Sequence, residues 1–378
     1  MKAVICGNLS SNLYSRKNLI KAIIAEGWEL AALACPDHSV DKIETELGIP
    51  FFNAQMENKG TGIFSDLRTF CSFYFFYRKQ RPDVVIQFNS KPDIYGSIAA
   101  NLLGIPSISN ITGLGGVFNT EGGLIQKIVC MLYKIAFSGP KVFVFFQNRD
   151  DRALFLNRKI ISESKTGLLP GSGVDIDYFV PNPSAIPDSE IADVKTVNFL
   201  FVGRLVIAKG IREFISAAKI IKSKYPDCTF NVIGEINTAK GFISKNELEE
   251  AMRSGAIQYH GNTQDVISFI AKADCVVLPS YYREGVPRSL LEAAAMAKPL
   301  IAADSIGTRE PVRPNENGFL CQPGNANDLA NKMENFICLS QMEKNDMGSK
   351  SRIVAEKEYS DTIISNKYIE RLPKGKAK

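Results

Sequence analysis

The feature that most constrains the fold is an alternation of short apolar runs with amphipathic segments, which occurs twice along the chain. Continuous apolar strands that alternate with helices form parallel sheets with both faces covered, so each half predicts a doubly wound α/β domain. In the first half the predicted strands are 2–6, 29–34, 83–88, 106–111 and 141–147, and the predicted helices are 15–27, 62–80, 92–103 and 123–138.

A polar, proline-rich stretch (PNPSAIPDSEIADVK) separates the two halves and is typical of a linker. After it the alternation restarts. The predicted strands of the second half are 197–202, 228–233, 256–259, 274–278 and 299–303, and the predicted helices are 210–224, 244–254, 264–272 and 287–297.

These patterns predict an α/β fold of two Rossmann-like, doubly wound domains that face a cleft. We expect an N-terminal domain over 1–180, a linker over 181–195, a C-terminal domain over 196–360, and a C-terminal helix with a disordered tail over 361–378. In such sheets ligands bind at the carboxyl ends of the strands, so the cleft is the expected site.

Composition excludes several classes of protein. The net charge is only +5 over 378 residues, with no basic block of the kind that nucleic-acid binding requires. No run of about 20 apolar residues predicts a membrane span. The N-terminus (MKAVICGNLSSN) lacks the apolar core of a signal peptide, and the eight cysteines form no CxxC pair. We therefore expect a cytoplasmic enzyme with reduced thiols.

The strongest chemical signal is the segment 278–304, in which a strand, a short loop and a helix follow one another. The loop carries Glu284 and Gly285, and the helix begins near Pro287. A helix N-terminus suits a phosphate, and glycine lets a ligand approach the backbone. Glu284 and Glu292 could then accept hydrogen bonds from hydroxyls on either side of a diphosphate. On spacing alone they could equally be a surface glutamate and a helix glutamate.

A second signal is FLFVGRLVIAKG at 199–210, where a predicted strand runs into Gly203. Arg204 and Lys209 follow, and cations at this sheet edge can neutralise a diphosphate leaving group. Basic residues after strands are common, so this signal gains its weight from lying in the same domain as Glu284 and Glu292.

Together these motifs resemble those of the retaining GT-B glycosyltransferases of family four. The resemblance rests on GRLVIAKG, EGVPRSLLE, PLIAADSIGTREPV, NGFLCQPGNANDLA and PGSGVDIDYF. In the first half, KPDIYGSIAA and NITGLGGVF are similar to the subset that builds bacterial surface polysaccharides, such as O-antigen and capsule, on polyprenyl-diphosphate carriers.

The resemblance implies a role for each matching residue. Arg204 and Lys209 would contact the donor diphosphate, Glu292 the ribose, and Glu284 the transferred sugar; Glu284, Arg204 and Lys209 are the expected catalytic residues. The remaining expected donor-side positions are Gly203, Gly285, Val286, Arg288 and Ser289, and the expected acceptor-side positions are Thr112, Gly113, Gly115 and Gly116.

The implied reaction is transfer from a nucleotide sugar, expected to be a UDP-sugar, to a lipid-linked glycan with retention of configuration. No residue stands out as a covalent nucleophile, which favours departure of the leaving group from the front face. We expect no cofactor and no metal, because Asp175 and Asp177 lie just before the linker and the cations take the place of a metal. His38 and His260 are expected to have structural or solvent roles.

Segment 64–81 combines clustered aromatics with Arg78, Lys79 and Arg81. It is either a core helix with a basic end or a surface that gives peripheral contact with the inner membrane. Two other functions remain open at this stage: a sugar-nucleotide epimerase of the same architecture, and a non-catalytic sugar-binding protein.

Overall fold

The computed structural model describes residues 1–57, 62–118, 123–181, 196–263 and 265–374. The chain forms two compact units: Met1–Ser172 with Asp361–Lys378, and Gly173–Ser360. Nearly all of the expected linker, the first residue of the expected helix 264–272 and the last four residues of the expected tail lie outside the described residues.

Unit 1 is built on a parallel sheet of seven strands in the order β3-β2-β1-β4-β5-β6-β7. The centre of this sheet is buried on both faces, as its continuous apolar strands predict. Its strands are β1 (Lys2–Leu9), β2 (Glu29–Cys35), β3 (Phe51–Asn53), β4 (Val84–Phe88), β5 (Ser107–Ile111), β6 (Val142–Phe146) and β7 (Thr166–Leu168).

Helices cover both faces of this sheet. They are α1 (Ser10–Tyr14), α2 (Lys17–Ala25), α3 (Val40–Glu46), α4 (Ile63–Gln80), α5 (Ser97–Leu103), α6 (Leu124–Ala136) and α7 (Arg149–Asn157). A π-helical turn (Pro92–Gly96) leads into α5, and a 3₁₀ turn (Gly115–Phe118) precedes α6.

Unit 2 is built on a parallel sheet of six strands in the order β10-β9-β8-β11-β12-β13. The order reverses between β8 and β11, and ligands bind at such a point in open α/β sheets. The strands are β8 (Asn198–Val202), β9 (Thr229–Ile233), β10 (Gln258–Tyr259), β11 (Cys275–Leu278), β12 (Leu300–Ala303) and β13 (Gly318–Cys321).

The helices that follow these strands have clear start signals. Ser244 and Ser340 each form a capping box with the glutamate three residues later, and Asn325 accepts a hydrogen bond from the Asp328 N–H. The helices are α8 (Ile211–Lys224), α9 (Lys245–Arg253), α10 (Val266–Lys272), α11 (Arg288–Ala295), α12 (Ala326–Ile337), α13 (Gln341–Glu358) and α14 (Asp361–Ile369), of which α14 belongs to unit 1.

The unit boundaries differ from the expected domain boundaries at both ends. Residues 173–179 pack in unit 2, where Val174 and Phe179 are buried and the Arg352 guanidinium donates to the carbonyl oxygen of Phe179 at 2.9 Å. At the other end α14 packs in unit 1, where Tyr368 is buried and its hydroxyl accepts a hydrogen bond from Asn110 at 2.6 Å. Burial of these apolar side chains, and not the position of the linker, sets the boundaries.

Two further findings bear on composition. No helix among the described residues is both long enough and apolar enough to cross a membrane. All eight cysteines lie in described parts of the chain, and none of them forms a disulfide.

Candidate active site

The two loops that carry the predicted donor residues leave the unit 2 sheet at neighbouring strands. Gly203, Arg204 and Lys209 follow β8, and Glu284 and Gly285 follow β11. Because β8 and β11 are parallel neighbours on either side of the reversal in strand order, both loops emerge at one sheet edge. The structure therefore brings the two sequence signals into one site.

An ion pair joins the two loops. Lys209 Nζ lies 3.0 Å from Glu284 Oε2, and both side chains are only about 15% exposed (15% and 14%). The buried Ser280 hydroxyl donates to Glu284 Oε1 at 2.8 Å. A partly buried, hydrogen-bonded pair of this kind holds its two charges in a defined geometry.

Backbone contacts reinforce the link between the loops. The N–H groups of Tyr281 and Tyr282 both donate to the carbonyl oxygen of Ala208 at 2.9 Å. Gly210 has φ +82°, and a Cβ there would lie 2.3 Å from the Pro279 carbonyl oxygen. Only glycine permits both this conformation and this approach, so Gly210 allows the β8 loop to pack directly on the β11 loop.

A third loop packs against the backbone of Glu284. Gly307, which follows β12, has φ +80°, and a Cβ there would lie 2.3 Å from the Glu284 carbonyl oxygen and 2.0 Å from that of Gly285. The Glu284–Gly285 backbone is thus held between the loops that follow β8 and β12.

Helix α11 begins at Arg288, with Pro287 at its N-cap. The first N–H groups of a helix have no intrahelical acceptor and can bind an anion, so Arg288 and Ser289 lie where the sequence placed the phosphate-binding amides. Val286 is buried next to them.

Glu292 lies one turn inside α11, where Arg288 Nη2 is 3.3 Å from its Oε1. Burial raises the pKa of the Glu292 carboxyl, and the Arg288 charge and hydrogen bond partly oppose that rise. Glu292 is thus a largely buried carboxyl one turn from the amides of Arg288 and Ser289. Arg204 differs from these residues because its side chain is exposed at the surface of the β8 loop.

The predicted acceptor-side residues lie in unit 1, directly after β5. Thr112 and Gly113 follow the strand, and Gly115 and Gly116 begin the 3₁₀ turn. Gly113 and Gly115 have positive φ angles of 122° and 60°, which glycine adopts readily. This stretch is thus a glycine turn at the carboxyl edge of the unit 1 sheet.

Three other candidates have local structural contacts or are exposed to solvent. Asp175 Oδ1 accepts hydrogen bonds from the N–H groups of Asp177 and Tyr178 at 3.2 and 3.0 Å, as in a local turn. His260 Nε2 is 2.6 Å from Asn231 Oδ1. His38 is exposed on the loop after β2.

Sequence reasoning missed three parts of this site. Ser280 holds Glu284, and Gly210 and Gly307 bring the loops together. Ser280, Gly210 and Gly307 lie in connecting segments between predicted strands and helices, where such residues are frequent, so their signal in the sequence is weak. The distances that give them their roles exist only in the folded sheet.

Comparisons with known proteins identify the relatives of the chain. Residues 185–354 match the family described as "Glycosyl transferases group 1". The chain is 24% identical, over 95% of both chains, to the N,N'-diacetylbacillosaminyl-diphospho-undecaprenol alpha-1,3-N-acetylgalactosaminyltransferase of Campylobacter jejuni. It is 25% identical to the UDP-Gal:alpha-D-GlcNAc-diphosphoundecaprenol alpha-1,3-galactosyltransferase of Escherichia coli, over 73% of this chain and 71% of that one.

A solved structure shows the same fold. The Anabaena protein HepE, in complex with UDP and glucose, superposes with a TM-score of 0.78 at 18% identity, over 98% of this chain and 99% of that one. The family match supports glycosyl transfer and not the epimerase or the sugar-binding protein that the sequence left open. The chain is a glycosyltransferase with the GT-B fold, and its residues 185–354 match the glycosyl transferases group 1 family.

Proposed function

We propose that the enzyme transfers a sugar from a UDP-sugar to a glycan carried on a polyprenyl diphosphate, with retention of configuration, in bacterial surface polysaccharide synthesis. The main support for a donor site in unit 2 is the Lys209–Glu284 ion pair, which lies where the strand order reverses. The printed names of the Campylobacter and Escherichia relatives, with their undecaprenyl-diphosphate-linked acceptors, support the acceptor class. The complex of HepE with UDP and glucose supports the donor class.

In this proposal the loop after β8 stabilises the leaving group. Negative charge grows on the phosphate oxygen as the glycosidic bond breaks, and the Lys209 ammonium and the Arg204 guanidinium neutralise it. The amides of Arg288 and Ser289 at the start of α11 bind the same diphosphate.

The two glutamates bind the donor on either side of its phosphates. Glu284 accepts hydrogen bonds from the sugar near the reacting carbon, and Glu292 from the ribose. Ser280 keeps one oxygen of Glu284 oriented. With no group assigned as a covalent nucleophile, the leaving phosphate itself takes the proton of the attacking hydroxyl, on the same face of the sugar.

We also propose that the reaction needs no divalent cation, because Lys209 and Arg204 supply positive charge where the diphosphate leaves. The proposed acceptor glycan is bound in unit 1 at the turn of Thr112, Gly113, Gly115 and Gly116. The enzyme would act at the cytoplasmic face of the inner membrane, with peripheral contact through α4. That helix buries Phe73 and Tyr77 but exposes Phe64, Phe75 and its two basic residues near the C-terminus.

One experiment tests the whole proposal. A thermal-shift screen of nucleotide sugars identifies the donor, and release of UDP is then followed with and without a synthetic undecaprenyl-diphosphate-linked saccharide, in EDTA. We expect release that depends on the acceptor and proceeds in EDTA. Activity that is abolished by EDTA and restored by Mg²⁺ or Mn²⁺ would contradict metal independence alone. The absence of any acceptor-dependent release would contradict the proposed reaction.

A further inference from the structure

Helix α6 exposes an unusual amount of apolar surface. Five of its large apolar side chains are roughly half exposed or more: Leu124 (74%), Ile125 (61%), Ile128 (46%), Met131 (56%) and Ile135 (47%). At 3.6 residues per turn, Leu124, Ile128, Met131 and Ile135 fall on one stripe along the helix. A surface helix normally turns its apolar stripe toward the core and a polar face outward.

The other face of α6 already serves the core. Tyr133 and Ala136 are buried in the cluster around Phe155, and Val129 and Leu132 pack against it. The exposed stripe is therefore not the core-facing side of the helix, and it is available to a partner outside the unit.

Helices α4 and α5, which neighbour α6, also expose large apolar side chains. Helix α5 contacts both α4 and α6, so the three lie in one layer on the sheet. In the described part of unit 1, nine of the eleven exposed large apolar side chains lie on these three helices, and only Met1 and Ile24 lie elsewhere. Exposed apolar side chains concentrated in this way on one layer of helices are typical of an interaction surface.

The charges of α6 indicate what covers it. Lys127 and Lys134 are exposed, lie seven residues apart and occupy one flank of the stripe. The helix has no acidic residue, and the Arg158 guanidinium lies beside it, 3.3 Å from Cys130 Sγ. An apolar stripe with cations at its flank is complementary to the interface of an anionic bilayer.

We infer that α6 is a membrane-docking helix, which lies in the interface of an anionic bilayer with its Leu124–Ile135 stripe among the acyl chains. The inference rests on the proposed function, since a lipid-linked acceptor would be presented at that interface, and it adds to α4 a second, more apolar contact. A second copy of the chain fits less well. An antiparallel two-fold contact through this face would bring Lys127 and Lys134 of one copy beside the same cations of the other, with no acidic residue on either helix.

Vesicle flotation tests the inference on the full chain. We expect the wild type to float with phosphatidylglycerol vesicles, to float poorly with phosphatidylcholine vesicles, and to be released as salt rises. Ile128→Glu with Ile135→Glu should weaken partitioning by about tenfold or more. Lys127→Gln with Lys134→Gln should weaken it by about fivefold for each lysine at low salt.

Matched controls separate docking from folding and from catalysis. Met342 and Ile353 of α13 are also exposed (78% and 46%), so Met342→Glu with Ile353→Glu adds the same charges elsewhere and should leave flotation unchanged. Arg78→Glu with Lys79→Glu tests α4 in the same assay, where we expect a smaller loss. Transfer to a short-chain, water-soluble acceptor should remain within about twofold of wild type in the α6 variants.

The outcomes are distinct. Wild-type flotation of the Ile128→Glu, Ile135→Glu variant would overturn the inference. So would a wild-type dimer that becomes monomeric in that variant and binds no vesicles, because the occupant would then be a second copy. A wild type that transfers sugar but does not float would overturn membrane docking and leave the proposed reaction intact. A wild type that floats through α6 but transfers no sugar would support membrane docking and contradict the proposed reaction.

Discussion

Lys209 Nζ lies 3.0 Å from Glu284 Oε2, so the residue proposed to neutralise the leaving group is held by the residue proposed to bind the transferred sugar. The pair joins the loop after β8 to the loop after β11, and the Ser280 hydroxyl fixes the other oxygen of Glu284. When a donor binds, the ammonium must be shared between the carboxylate and the phosphate. The two proposed functions of the donor site are thereby coupled.

The first prediction concerns the two cations. Lys209→Ala and Arg204→Ala should each lower kcat by roughly 10²–10³, the scale for losing one group that stabilises developing charge. Affinity for the intact UDP-sugar, measured by calorimetry without acceptor, should fall less, because the phosphate oxygen of the glycosidic bond carries less negative charge in the bound donor than in the transition state. Arg204→Lys should not restore full activity, since an ammonium cannot make a forked contact.

A control for these variants is Lys332→Ala, which removes a lysine of the same unit from a surface pair with Asp328. It should leave both the single-turnover rate and the affinity for the intact UDP-sugar unchanged. Equal losses of rate and affinity in the Lys209 and Arg204 variants would show uniform donor binding and contradict a special role in the transition state.

The second prediction separates the two glutamates. Glu284→Ala should mainly lower kcat, because the proposal places its carboxylate next to the sugar carbon at which charge develops. Glu292→Ala should mainly raise the donor KM, because ribose contacts do not change during the reaction. Loss of a charged hydrogen bond costs about 1.5–3 kcal/mol, which is about 10- to 150-fold. Wild-type kinetics in both variants would remove these residues from the donor site.

Much of this account could be predicted from the sequence. The apolar runs predicted the central strands of both sheets, and in the C-terminal half they lie within a residue or two of the observed ends. This succeeded because buried parallel strands are continuous apolar segments, whose length and spacing are visible in one dimension. The two site segments could be placed together because each directly follows a predicted strand of the same sheet.

Other features depend on three-dimensional contacts. The return of α14 to unit 1 rests on the Tyr368–Asn110 contact, which joins residues 258 positions apart. The exposed stripe of α6 looks the same in sequence as a core-facing stripe, because periodicity gives the faces of a helix and not which of them is covered. The contact of Gly307 with the Glu284–Gly285 backbone likewise exists only once β11 and β12 are paired.

The third prediction tests that contact. Gly307→Ala should lower kcat and destabilise unit 2, because the new Cβ would lie 2.0 Å from the Gly285 carbonyl oxygen and must displace the loop that carries Glu284. Gly324→Ala is the matched control, since Gly324 has a similar φ of +69° and nothing within 4 Å of an added Cβ. Gly324→Ala should lower the free energy of unfolding only by the backbone strain, about 1–2 kcal/mol, and should leave kcat unchanged. Equal kinetics in the two variants would contradict a positioning role for Gly307.

The fourth prediction concerns pH and Asp93, which is buried in unit 1 on the π-helical turn after β4. Burial raises the pKa of Asp93 well above its usual range, although the Asn110 backbone, the Ser109 hydroxyl and the Arg16 charge oppose the rise. The folded state therefore holds a proton that the unfolded state releases above pH ~4. The free energy of unfolding should therefore fall as pH rises from ~4 toward the raised pKa of Asp93, by up to about 1.4 kcal/mol per pH unit.

Asp93→Asn should remove this pH dependence, because an amide does not titrate. The free energy of unfolding of the variant minus that of the wild type should therefore be larger at pH 7 than at pH 5. Trp28 is the single tryptophan and is buried in unit 1, so its fluorescence reports the denaturant unfolding of that unit. Asp37→Asn is an opposite control. Burial would raise the pKa of Asp37, but hydrogen bonds from Ser10 and Ser11 lower it on balance. Because the ionised Asp37 stabilises the folded state above pH ~4, Asp37→Asn should lose most free energy of unfolding above that pH. Parallel pH profiles for wild type and Asp93→Asn would contradict the assignment.

The anomeric configuration of the product tests the central claim most directly. The enzyme is incubated with an α-configured UDP-sugar and an undecaprenyl-diphosphate-linked saccharide, and the new linkage is read by proton NMR from the coupling at the anomeric carbon. Transfer at the donor site of unit 2 with front-face departure predicts an α-linked product, formed in EDTA and formed roughly 10²–10³ times more slowly by Lys209→Ala. A β-linked product, or conversion of the donor sugar without an acceptor, would contradict it.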